Sequence, residues 1–426
     1  MHFNEDFLHY LWKHRLFKSN NLQTKCGQQV QVLSTGIHNQ HAGPDFENSK
    51  VRIGQTVWAG NIEIHINATD WERHHHQFDD SYENVILHVV YNHDTDLMRK
   101  DGSIIPVLEM KDLIPDDVLT KYRWLNENMD WIPCANHISQ VDSFHTNSWL
   151  SRVLVERMEE KSDAINKVLA EYKQSWDDAF YVMLARNFGF KVNALPFEML
   201  ARSLSQQILA RHKNNVLQIE ALIFGQAGFL DQELADEYPK QLQKEYLFLK
   251  KKYSLQPVDR YLWKFLRMRP QNFPTLRLAQ FCALVVKSNH LFSRILEIRS
   301  VAEVKKFFDN LPVNNYWKTH YRFDVTSRVS GSQTGDQSID NILINTVSLF
   351  LFAYGKNMNS PSIVNRALEL LELLSAEENN ITRQFSKTGI KIRDAFASQA
   401  IIQLKKSYCD KKKCLHCGIG TRLLNN

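Results

Sequence analysis

The segment Val57-Trp58-Ala59-Gly60-Asn61-Ile62-Glu63-Ile64-His65-Ile66 commits both faces of one strand. Its β-branched and aromatic content favours an extended chain, and in an extended chain residues two apart share a face. Ile62, Ile64 and Ile66 then line one side, which needs a core to cover it, while Glu63 and His65 stand together on the other. Upstream, Gly43-Pro44 is a turn signal leading into Asp45-Phe46, and 51–54 reads as a second strand. Pairing the two strands as a hairpin through Gly54-Gln55-Thr56 brings Asp45 toward Glu63.

Two converging carboxylates suit Mg²⁺ or Mn²⁺, because hard cations prefer oxygen donors. Such an ion polarises a phosphate oxygen and lowers the pKa of a bound water, and a basic neighbour orients that water. The arrangement resembles the PD-(D/E)XK nuclease superfamily, in which Pro-Asp and then Asp/Glu-x-Lys occupy adjacent strands of a small mixed sheet. The resemblance covers about the first hundred residues. It implies a phosphodiesterase acting on DNA or RNA, with Asp45 and Glu63 as metal ligands and the Ile64 carbonyl as a third candidate. His65 stands where the family has lysine, and a neutral imidazole is a shorter, pH-dependent partner for water. The RecB-like branch of that superfamily also places a His ahead of the Asp and a Gln/Tyr pair on the helix. His38 or His41, with Gln77 and Tyr82, match those places.

After this strand, 68–82 reads as the start of a helix with Thr69 or Asp70 as N-cap, and 85–91 as a buried strand. Strand, strand, helix, strand is the order of the nuclease core. A second acid-x-lysine, Glu109-x-Lys111, follows a hairpin turn at Asp101-Gly102. Lys111 leaning in from a neighbouring strand would supply the missing ammonium. Two other readings stand beside the nuclease. One is an inactive descendant that binds nucleic acid or protein, which His65 in place of lysine favours. The other is a zinc-dependent hydrolase using His65, His88 and one of His74, His75 and His76, since imidazole suits zinc; His88 also fits a plain hydrogen-bonded sheet histidine.

Three of the six cysteines fall in nine residues as Cys409-x4-Cys414-x2-Cys417, followed by Gly418. The two-residue gap lets two thiolates reach one metal. Cys134, in a Pro-preceded loop, is the preferred fourth ligand over His416, and zinc fits the spacing. One cysteine ahead of the helices and three at the far end is similar to the iron–sulfur staple of some RecB-like and CRISPR-associated nucleases, at different spacing, and implies a cluster as the alternative.

The chain has 426 residues, 43% apolar and 23% charged, with a net charge of +5. That composition is ordinary for globular domains and permits nucleic-acid binding without demanding it. The apolar run 347–353 is too short to span a membrane, and the first residues lack a signal-peptide pattern. Those features and the free cysteines lead us to expect a cytoplasmic protein. The oligomeric state is not legible. From about residue 145 the pattern turns helical, with segments expected at 176–188, 196–211, 216–224, 232–251, 257–268, 275–287, 301–310, 340–354, 361–376 and 380–386. The stretch 327–338 reads as a loop. Arg267, Arg269 and Arg277 in one Pro-framed stretch, and Trp317, Lys318 and Tyr321 in another, combine cations and rings suited to single-stranded nucleic acid.

The expected fold class is α+β. A small mixed-sheet, nuclease-like domain (1–140) precedes a larger all-α domain (141–403), and a Cys-rich tail (404–426) forms a metal staple. Gly43-Pro44-Asp45-Phe46, the strand motif 60–65, Arg186-Asn187-Phe188-Gly189-Phe190, Phe224-Gly225-Gln226-Ala227-Gly228 and the terminal cysteines are also similar to the landmarks of an uncharacterised bacterial family, along nearly the whole chain.

Overall fold

The computed structural model describes residues 4–39, 41–288, 290–327 and 333–425. The chain divides into two compact units. One combines Met1–Trp149 with Lys387–Ile390 and Leu404–Asn426; the other combines Leu150–Ser386 with Lys391–Gln403.

The first unit opens with helix α1 (Glu5–His14). Glu5 and Asp6 in its first turn and Lys13 and His14 in its last complement the helix dipole. It buries Phe7, Leu8, Tyr10, Leu11 and Trp12, and stops at Arg15, whose φ of 52° is left-handed. Six strands follow: β1 (Val30–Ser34), β2 (Ile37–His38), β3 (Phe46–Ile53), β4 (Thr56–Asn67), β5 (Val85–Asn92) and β6 (Val107–Glu109). Their order across the sheet is β1-β3-β4-β5-β6, with β2 also on β3. The β1, β3 and β4 strands form an antiparallel meander, while β5 and β6 add in parallel. Ile53 pairs with Thr56, so the β3–β4 hairpin turns at the expected place, and Gly54 takes φ +59° there. The sheet and the helical region together give the α+β architecture read from the sequence.

The register carries the site. Glu63 pairs with His88, and Ile62 and Ile64 pair with Leu87 and Val89. The apolar partners are buried on one face, and the ionisable ones share the other, which is buried as well. The helix expected over 68–82 is a correction. Only α2 (Asp70–Arg73) forms, followed by 3₁₀ turns His76–Phe78 and Asp80–Tyr82. The break lies at His75, where φ is +64°, and a left-handed residue ends a right-handed helix.

In the second unit the segment Trp176–Phe188 is helical as expected. The long 196–211 segment divides into Ala194–Ser203 and Gln206–His212, and 257–268 is irregular apart from a 3₁₀ turn, Arg260–Leu262. There the Trp263 indole N–H donates to the Ala227 carbonyl, and the Lys264 amide donates to Asn193, so long-range anchors replace the helical ladder. A two-stranded hairpin, β7 (His320–Arg322) and β8 (Val325–Thr326), interrupts the helices. The predicted 340–354 helix extends from Asp336 to Asn357 and contains a π turn at Leu343–Val347. Asn187 reaches into that turn, donating to the Asn341 carbonyl and to Thr346 Oγ1. By length and composition this helix could cross a membrane, and 72% of its apolar window is buried within the protein. Residues 328–332 of the expected loop lie outside the described residues.

Candidate metal-binding site

Asp45 stands immediately before β3 and Glu63 within β4, and the antiparallel pairing Phe46 to Ile62 brings them together. Asp45 Oδ2 accepts the Ile64 amide N–H at 2.9 Å, and the Asp45 amide N–H donates to Glu63 Oε2 at 3.1 Å. Glu63 and His65 share a face of β4 as expected, and both are buried. His65 Nδ1 lies 2.8 Å from His88 Nε2, and its Nε2 lies 3.1 Å from His74 Nδ1. Glu63 Oε1 is 3.5 Å from His65 Nε2 and 3.2 Å from His76 Nε2.

His74 and His76 reach the site because of His75. Residues two apart do not share a helix face, but the left-handed turn at His75 folds the chain so that both flanking rings point back at β4. Ligand atoms of His65, His74 and His76 all lie within 4.8 Å of one another. Neighbouring donors around a tetrahedral ion with metal–nitrogen bonds of zinc length would be about 3.3 Å apart. The separations of 3.1, 3.2 and 3.5 Å fit that spacing.

Electrostatics agree with the geometry. Burial, then the neighbouring His88, His76 and His74, push the His65 imidazole down to about 2, and burial pushes His88 down to about 3. Burial and then the Asp45 carboxylate hold the Glu63 carboxyl well above the usual range. Neutral imidazoles each keep one lone pair, so these rings link by N–H···N hydrogen bonds on their own or present lone pairs to a cation. His88 behind His65 supplies the ring-to-ring hydrogen bond that would orient a ligating histidine.

Sequence reasoning missed two contributors from α1. His9 Nε2 lies 3.2 Å from Asp45 Oδ2. Burial opposes charge on His9, but its bond to Asp45 and the charges of Asp45 and Glu5 raise its pKa overall. Burial raises Glu5, against the pull of His74 and His9. The i, i+4 spacing of Glu5 and His9 put them on one helix face, but no nearby motif tied that face to Asp45.

The other candidates are placed as follows. His38 stacks on Phe46 at 4.9 Å beside His9, while His41 is exposed. Tyr82 stacks on His76 at 3.8 Å, and Gln77 joins them around a cavity of about 210 Å³ also lined by Trp71, Arg99 and Lys100. Glu109 is engaged elsewhere, accepting the His93 amide and pairing with Lys25 at 2.8 Å. Lys111 is exposed beyond the end of β6. Two of the proposed nucleic-acid residues face inward, which corrects their expected role. Arg277 is buried on Gln280, Asn272 and Ser338 and over the Phe190 ring, and Trp317 is buried and stacked on Phe224. Neither presents a free surface to a base or a phosphate. Arg267, Arg269 and Lys318 remain exposed, and Tyr321 is half-buried.

Comparison with curated proteins and with solved structures gives no match. Residues 5–380 match the model of the family described as "Protein of unknown function (DUF2851)". That match spans the sheet, the histidine site and most of the helices, and the chain belongs to this family.

Proposed function

We propose that the first unit is a divalent-metal-dependent hydrolase acting on phosphodiester bonds of DNA or RNA. The observation that carries the reading is the meeting of buried Glu63 and His65 with half-buried Asp45 and His76 and exposed His74 at one point on the sheet. The meander with a parallel fourth strand follows the order expected of the nuclease core, apart from the short α2. The donor set, richer in imidazole than in carboxylate, suits a transition ion such as Zn²⁺ or Mn²⁺ better than Mg²⁺. An ion there would supply Lewis-acid polarisation and a nucleophile from water. Glu63, His65, His74 and His76 would hold it. His9 sits against Asp45 and would hold or release a proton at that carboxylate. Arg99 lines the adjoining cavity, where Lys100 is paired with Asp80 and Glu83.

The test is cleavage of labelled single- and double-stranded DNA and RNA with Mg²⁺, Mn²⁺ or Zn²⁺, comparing the natural chain with Glu63→Gln. Cleavage lost in a folded Glu63→Gln protein supports the proposal. Failure of the natural chain on every substrate and metal sinks it.

A second reading, a zinc hydrolase of other esters, is favoured by one observation: three imidazoles gather within 4.8 Å. It predicts turnover of simple aryl esters that requires His76 and zinc but shows no nuclease activity.

A further inference from the structure

Four of the six free cysteines come from two stretches of chain, one around Cys134 and one over 409–417, and lie near one another within the first unit. Cys134 sits in a turn whose carbonyl accepts the N–H groups of His137 and Ile138. Cys409 ends a π turn, Lys405–Cys409, and Cys414 and Cys417 flank the 3₁₀ turn Cys414–His416. The stretches are fastened beside the thiols. Lys412 Nζ donates to the Asn126 carbonyl at 2.7 Å, and Lys405 Nζ lies 5.0 Å from the centre of the Trp131 ring. Each of the four thiols lies within electrostatic reach of the other three.

Cys417 is buried in a tight turn. Its amide N–H donates to the Cys414 carbonyl at 3.2 Å, closing the two-residue turn. Burial raises its thiol, and the nearby backbone of Gly420 and Ile419 and the Trp149 indole act in the opposite direction. A Cβ at Gly418 would lie 2.7 Å from the Trp149 ring, and one at Gly420 would strike the Cys414 carbonyl. Glycine at both positions lets the turn close around the Cys414 and Cys417 thiols.

We propose that Cys134, Cys409, Cys414 and Cys417 bind a thiolate-ligated metal centre, either one zinc ion or an iron–sulfur cluster. It would fasten the C-terminal segment to the segment carrying Cys134. This site is independent of the histidine site, and its test can fail without touching the hydrolase proposal.

The test uses the full chain, purified in air and anaerobically, with metal and acid-labile sulfide analysis, a visible spectrum and native thiol titration. A zinc centre gives zinc without sulfide, and cobalt exchange adds sulfur-to-metal absorption. A cluster gives iron with sulfide and broad visible absorption. In either case about one thiol per chain, the exposed Cys26, reacts quickly, and the four proposed ligand thiols react at least about 10-fold more slowly until the metal is removed. Cys414→Ser and Cys417→Ser release the metal, whereas Cys26→Ser and His76→Ala keep the thiol-bound portion. If zinc, and separately ferrous iron with sulfide, leave all four thiols as reactive as in the metal-free chain, the proposal is overturned.

Discussion

Asp45 and Glu63 latch one another through the backbone. The Asp45 amide donates to the Glu63 carboxylate at 3.1 Å while the Asp45 carboxylate accepts the N–H of Ile64, the neighbour of Glu63, at 2.9 Å. The turn before β3 is thereby fixed to the middle of β4, and neither carboxylate is free to drift from the other. Asparagine at position 45 keeps an acceptor for Ile64, whereas alanine does not. We expect Asp45→Ala to lower unfolding free energy by about 1–2 kcal/mol and Asp45→Asn by less. Urea unfolding followed by circular dichroism measures both. Equal losses would mean that the latch contributes nothing.

His88 touches the candidate metal site only through His65. If it orients that imidazole, His88→Phe should weaken zinc binding about 10- to 100-fold while leaving the sheet folded, the range seen when an outer hydrogen-bond partner of a ligand is removed. Competition against a chromophoric chelator reads the change. Because the thiol centre is separate, the titration should be run in the Cys414→Ser, Cys417→Ser background.

Position 75 has a conformational requirement that its side chain does not satisfy well. At φ +64° a histidine is strained, and glycine is not. His75→Gly should therefore retain metal binding at little or no cost in stability. His75→Val, β-branched in a left-handed turn, should cost about 1–2 kcal/mol and pull His74 and His76 out of register. Thermal melts and metal titration of the two variants separate this account from one in which His75 is simply solvent-exposed surface.

Glu220 in the helical unit gives a pH signature. It is buried, and burial, partly countered by the neighbouring Tyr238 and Asn314, raises its carboxyl from 4.5 to about 7. The folded state therefore holds the proton more tightly than the unfolded state. The stabilisation is complete below about pH 4.5, falls as the unfolded carboxyl ionises, and is gone above about 7. The total is about 3 kcal/mol. In Glu220→Gln this dependence should vanish, so melting temperatures of the two proteins should diverge between pH 5 and 8. A parallel decline in both would place the titration elsewhere.

The strand 57–66 declared itself through alternation, since only an extended chain sets Ile62, Ile64 and Ile66 on one face and Glu63 beside His65 on the other; Ile62 and Ile64 are buried and Ile66 is half-buried. The hairpin at Gly54 followed from turn chemistry, and Asp45 then met Glu63 by register. His74 and His76 were readable only as members of a polar run, because the feature that turns both inward is a backbone angle at His75. Glu5 and His9 were hidden for a different reason. Their approach to Asp45 is a tertiary packing of α1 on β4, and α1 looks from its own sequence like any amphipathic helix. In the helical unit, Trp176–Phe188 followed its apolar spacing, while 257–268 was lost to long-range hydrogen bonds from Trp263 and Lys264 that no local pattern records.

The C-terminal helix Gly418–Asn425 completes the first unit, where Tyr10 of α1 bonds the Thr421 carbonyl and the Asn425 side chain. A ribosome delivers those two ends of the unit at opposite extremes of synthesis. The sheet and α1 emerge first, and the helix that receives Tyr10 is still unmade while the helical unit is translated and free to fold. For this chain the first unit is completed only after the second has been made, and a nascent protein stalled before residue 404 would carry the Tyr10 side of α1 uncovered for chaperones to shield.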